Sequence, residues 1–160
     1  MNIRGSWPYI QVVAKSRLAH NKTPRHISKY GDSLEIIGAA GEIVARRFLG
    51  LNEKLHTGFD NGIDFYYAGK KIDVKATMLT PKVDFRNLQW PIYKIIKADI
   101  IILTAIDTIR KIGVVLGYAT KDDILSAYVN LERETPCYEV PVESLKPAWR
   151  LIARELGRKS

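Results

Sequence analysis

A chain of 160 residues suits one compact domain, and a hydrophobic share of 46% is enough for a core. The balance is basic, 25 Lys and Arg against 17 Asp and Glu for a net charge of +8, which favours a polyanionic partner with nucleic acid first. A single cysteine, Cys137, excludes an intrachain disulfide and a cysteine zinc cluster. The longest apolar run, residues 100–103, is far too short to cross a bilayer.

Residues 1–32 are weakly periodic. Arg4, Lys15, Arg17, Lys22, Arg25 and Lys29 are answered there only by Asp32. A basic N-terminal arm is expected, with Trp7 and Tyr9 in it and a short helix over 10–19. Arg17 and Arg25 are candidate phosphate contacts. A dimer-swapping arm is the competing reading, and His20 and His26 read as surface histidines. The N-terminus carries no apolar signal core, so a cytoplasmic location is the expectation.

Residues 33–160 are expected to form the single folded domain. A helix should open at Asp32 or Ser33 as N-cap and stop before Gly50. Its centre, Gly38-Ala39-Ala40-Gly41, is small, which allows close approach to a sheet. Glu42 follows directly, and Arg46 lies one turn further on.

A polar loop over 51–62 leads into the most informative stretch, Asp64 to Lys75. It reads as two short strands around Ala68-Gly69. That turn pairs Tyr67 with Lys70 and sets Asp64 opposite Asp73. Directly opposed like charges repel, and a hard divalent cation can relieve them. Side chains alternate along a strand, so Lys75 shares the face of Asp73. The second strand should run to 78 or 79. Further on, the pattern predicts a loop or short strand over 80–90 and a short helix from Pro91 to Ala98. Buried strands over 99–106 and 112–118 come next, then a helix from Thr120 to Tyr128 and a strand over 138–140. A closing helix over 142–156 would be interrupted by Pro147.

The helix with Gly41-Glu42, then Gly62-Ile63-Asp64, then Ile72-Asp73-Val74-Lys75 resembles the PD-(D/E)XK nuclease superfamily, which includes restriction endonucleases and Holliday-junction resolvases. Lys97-Ala98-Asp99 before the next apolar strand fits the same layout, and the likeness covers roughly 33–118. Ile63 departs from it, standing where the name-giving proline would be. The resemblance implies an α/β fold with a restriction-endonuclease-like core, a central mixed β-sheet flanked by helices. It also implies Asp64, Asp73, Glu42 and the Val74 carbonyl as ligands of Mg²⁺, with Mn²⁺ as a substitute. Lys75 would orient or activate the attacking water, so that Glu42, Asp64, Asp73 and Lys75 form the catalytic set. The products would carry 5′-phosphate and 3′-hydroxyl ends.

Blander readings compete. Asp64 and Asp73 can be solvent-face acids neutralised by Lys70, Lys71 and Lys75. Glu42 can be a surface partner of Arg46, with Glu35 nearly on the same helical face as the alternative acid. Lys94 and Lys97 suit either a phosphate or a solvated helix face, and Trp90 suits the core better than base stacking. The expected activity is a metal-dependent DNA endonuclease, structure-specific or sequence-specific. A domain with one site would work as a homodimer or dimer of dimers. The alternatives are a non-catalytic nucleic-acid-binding module and a basic protein-interaction domain. Lys70, Lys71, Lys94, Lys97, Arg17 and Arg25 are the candidate DNA contacts.

Overall fold

The structure, a computed structural model, describes residues 1–20, 31–57, 61–79 and 87–157; of 31–33 and 154–157 only the backbone is described. A 3₁₀ turn (Arg4–Ser6) leads into α1 (Trp7–His20), followed by α2 (Gly31–Phe48). The hairpin is β1 (Phe65–Tyr67) and β2 (Lys70–Met78). Then come β3 (Leu88–Pro91), β4 (Ile100–Asp107), β5 (Ile112–Thr120), α3 (Lys121–Leu125), β6 (Tyr128–Asn130) and β7 (Cys137–Val140). A second 3₁₀ turn (Val142–Ser144) precedes α4 (Trp149–Gly157).

The expected mixed sheet is present, in the order β1-β2-β4-β5, with β2 and β4 parallel and the two outer pairs antiparallel. A smaller antiparallel sheet, β3-β7-β6, was not foreseen as a separate layer. Alternation along the strands sorts the core. Ile72, Val74, Ile100 and Ile102 pack with Ala45, Leu49 and Leu151 on the helical side. Ile101 and Leu103 turn the other way and pack with Leu88, Trp90, Ile96 and Val140. The molecule is therefore layered as helices, central sheet and small sheet.

The small centre of α2 does what its size suggested, and Gly41 is its critical residue. A Cβ built there would lie 2.6 Å from Ala76 Cβ and 2.6 Å from Thr104 Oγ1, so the helix rests directly on β2 and β4. The hairpin turn also follows expectation. Ala68 (φ 50°) and Gly69 (φ 73°) are both left-handed, as a two-residue type I′ turn requires, and Tyr67 pairs with Lys70.

Several expectations need correction. Residues 1–20 are not a projecting arm: Ile3, Trp7, Ile10 and Val13 are buried in one cluster with Ile37, Ala40 and Ile43 of α2. Asn2 forms a β-bridge with Ile112. The remainder of the basic segment, 21–30, with Arg25 and His26, lies outside the described residues, as do the side chains of Asp32 and Ser33. Pro91 ends β3 instead of starting a helix, and the chain from 92 to 99 is turn, bend and irregular backbone. Thr120 caps α3 as expected, sharing a reciprocal capping box with Asp123, but the helix stops at Leu125 and Tyr128 opens a strand. The closing helix begins only at Trp149, after Pro147.

Candidate functional site

The ladder between β1 and β2 ends at Phe65↔Ile72. Asp64 is thus not paired in register opposite Asp73. Its N–H donates to Ile72 O (2.8 Å), and its carboxylate Oδ2 turns inward to accept from Val74 N–H at 2.6 Å. Because β1 is so short, β2 from Asp73 onward has no strand beside it on that edge among the described residues. The Asp64 carboxylate covers part of the gap. N–H and C=O of one strand residue point the same way, so the Val74 carbonyl is directed to this open edge too.

On the opposite edge of β2 the chain must return from the end of one parallel strand to the start of the next. That return places residues 87–99 over the face bearing Asp73 and Lys75. The result is a cleft of about 640 Å³ lined by Glu42, Asp64, Asp73, Val74 and Lys75, with Arg17, His20, Glu35, Lys94 and Lys97 around them. The whole sequence-derived catalytic set therefore shares one cavity. The acids lie at its floor: Glu42 and Asp64 are each 4% exposed and Asp73 3%. Buried carboxylates need charged or hydrogen-bonding partners, and these acids have them. Lys75 Nζ sits 2.5 Å from Asp73 Oδ2 and 4.9 Å from the Trp90 ring centre. Arg17 grips Glu42 with both terminal nitrogens, at 2.6 and 3.1 Å, while its Nε donates to His56 O.

Arg46, expected beside Glu42, packs over the Phe65 ring 4.6 Å from its centre, with its guanidinium near Asp64 O. Burial lowers its pKa; the charges of Glu42 and Asp64 oppose that effect. Arg17 is thus part of the acid floor rather than an exposed phosphate contact. It was legible in principle: Ile10, Val13 and Ala14 are buried on α1, and Arg17 follows one turn later on that face, where a cation demands an acid. Lys94 and Lys97 reach the cleft from irregular chain instead of a helix. Lys70 and Lys71 are exposed at the hairpin tip and do not line it. Trp90 is 2% exposed, a core residue whose Nε1 donates to Lys94 O (2.7 Å), and no platform for a base. Glu35 borders the same cleft and is half-buried.

No family model, curated protein or solved structure matches this chain. The cleft has to be read from its own chemistry.

The donor set consists entirely of oxygens, three carboxylates and a strand carbonyl, which suits a hard divalent cation. Among the described residues, no three His, Cys, Asp or Glu side chains are gathered into a metal-holding group. In this arrangement Arg17 holds Glu42 and the Val74 N–H holds Asp64. Among the described residues, no helix is long and apolar enough to cross a membrane.

Proposed function

We propose that this protein is a metal-dependent DNA endonuclease that hydrolyses phosphodiester bonds by in-line attack of water, on a restriction-endonuclease-like core of the PD-(D/E)XK kind. What supports the reading is that one cleft collects Glu42 from α2, Asp64 from just before β1, and Asp73 and Lys75 from β2, beneath a basic rim. Glu42, Asp64, Asp73 and the Val74 carbonyl would hold Mg²⁺, with Mn²⁺ as a substitute. When bound, such an ion lowers the pKa of water and offsets phosphate charge. Lys75, a donor with no competing acceptor, would orient the attacking water or hold a phosphate oxygen. Lys94 and Lys97 would fix the strand by its phosphates, without reading sequence. Each chain offers one such set, so cutting both strands takes two copies, and we propose a homodimer or a dimer of dimers.

The test compares wild type with Asp73→Ala and Lys75→Ala on plasmid and branched DNA, in Mg²⁺, in Ca²⁺ and in chelator. Cutting is expected only from wild type in Mg²⁺. Ca²⁺ should support binding with little cutting, because its looser shell positions water poorly. Equal cutting by both variants would show the site assignment to be wrong. A second reading, a nucleic-acid-binding module without catalysis, draws on the pairing of Glu42 with Arg17 and of Asp73 with Lys75. It would give DNA binding and no cutting in any metal.

A further inference from the structure

The turn after β3 carries a feature that hydrolysis does not use. Tyr93 and Ile95 are each 77% exposed, although Trp90 and Ile96 beside them are buried. Their exposure is not that of a loose loop. Lys94 N–H donates to Pro91 O (3.0 Å), Ile92 N–H to Pro136 O (3.1 Å), and Trp90 Nε1 to Lys94 O (2.7 Å). The turn is therefore pinned at both ends while presenting two large apolar side chains to water. Both line the cleft, as do Lys94, Lys97 and Lys75.

We infer that Tyr93 and Ile95 form a stacking edge for an unpaired base of a nucleic-acid strand lying in the cleft, which makes DNA with locally unpaired bases the preferred substrate class. This rests on the endonuclease reading and narrows it. The occupant is argued from charge and shape together. The lysines that share the cleft, Lys94 and Lys97, answer a phosphate backbone, and an exposed aromatic ring offers a base a π-face. Paired bases already stack on their neighbours and turn only their edges outward. A flipped or unpaired base is free to lie on Tyr93, and an aliphatic side chain such as Ile95 can fill the step it leaves.

The experiment measures binding by fluorescence anisotropy in Ca²⁺, where binding is expected with little cutting. The probes are a single strand, a duplex with a central bulge and a fully paired duplex. Tyr93→Ala should weaken binding to the first two by about tenfold and leave the paired duplex unchanged, while Tyr93→Phe should retain wild-type affinity for all three. Ile95→Ser should weaken the bulged probe. Equal affinities for wild type and Tyr93→Ala, or equal loss on all three probes, would overturn the inference. So would a fall in oligomeric mass of Tyr93→Ala by sedimentation, which would assign the apolar edge to a contact between copies. If wild type binds none of the probes, the endonuclease reading falls as well. If wild type binds and cuts but Tyr93→Ala does not discriminate, only the stacking edge is refuted.

Discussion

Arg17 and Glu42 carry the sharpest consequence at the scale of single residues. Their side chains are 12% and 5% exposed, and the contact is bidentate. Arg17→Ala takes a bidentate guanidinium from a buried carboxylate, so it should cost about 3 kcal/mol, read from urea unfolding. The double variant Arg17→Met with Glu42→Leu should recover part of that loss, because the buried carboxylate is removed together with the guanidinium that held it. The pair also gives a handle on the proposed ion. A cation bound at Glu42 would replace the missing guanidinium, so Mg²⁺ should raise the unfolding midpoint of Arg17→Ala more than that of wild type. An equal shift in both proteins would place Glu42 outside the metal shell. The residue types of the acid floor were legible from sequence, since Glu42, Asp64, Asp73 and Lys75 share one cleft. The grip of Arg17 on Glu42 was not. Arg17 lies 25 residues upstream, and only the packing of α1 on α2 brings the two together.

Among the elements, α2 sets the geometry of the cleft because it bears Glu42 and touches the sheet at Gly41. Two glycines in the same helix should respond oppositely to alanine. At Gly38 an added Cβ meets nothing within 4 Å, so Gly38→Ala should gain helix propensity worth about 1 kcal/mol. At Gly41 the added Cβ collides with Ala76 and Thr104 at 2.6 Å, so Gly41→Ala should lose about 2 kcal/mol by overpacking. Thermal unfolding of the two variants checks the contrast. The Gly41→Ala variant should also cut DNA more slowly, since the helix must lift off β2 and carry Glu42 with it. Matching behaviour of the two variants would mean that α2 does not rest on the sheet through Gly41. Elements with a strong pattern were readable in advance: α2, the β1–β2 turn with its pairing as far as Phe65 and Ile72 but not the opposition of Asp64 to Asp73, and the apolar β4. The small sheet was not, because β3, β6 and β7 have only three or four residues each, too few for a period to show. Pro91 misled for a related reason. A proline suits the first turn of a helix and the edge of a strand equally well. Here its missing N–H falls at the end of β3.

For the molecule as a whole, the question is where the net charge of +8 acts. Composition gave its sign and not its location, since the same count of lysines can be spread evenly or gathered round a cleft. Four of the described lysines separate into two places. Lys94 and Lys97 stand at the rim of the acid cleft, while Lys70 and Lys71 are exposed at the hairpin tip outside it. Each phosphate neutralised by a protein cation releases counterions, which makes affinity fall with salt in proportion to the number of contacts. If the cleft is the DNA track, Lys94→Ala and Lys97→Ala should each lower the slope of log affinity against log salt by about one. Lys70→Ala and Lys71→Ala should leave that slope near its wild-type value while still lowering the net charge by the same single unit. The measurement is a salt titration of anisotropy on one duplex in chelator. If all four variants shift the slope alike, the protein meets DNA through its overall field and not through this cleft. If only the hairpin lysines matter, the strand runs across the tip of β1 and β2, and the phosphate to be cut would not reach Asp73.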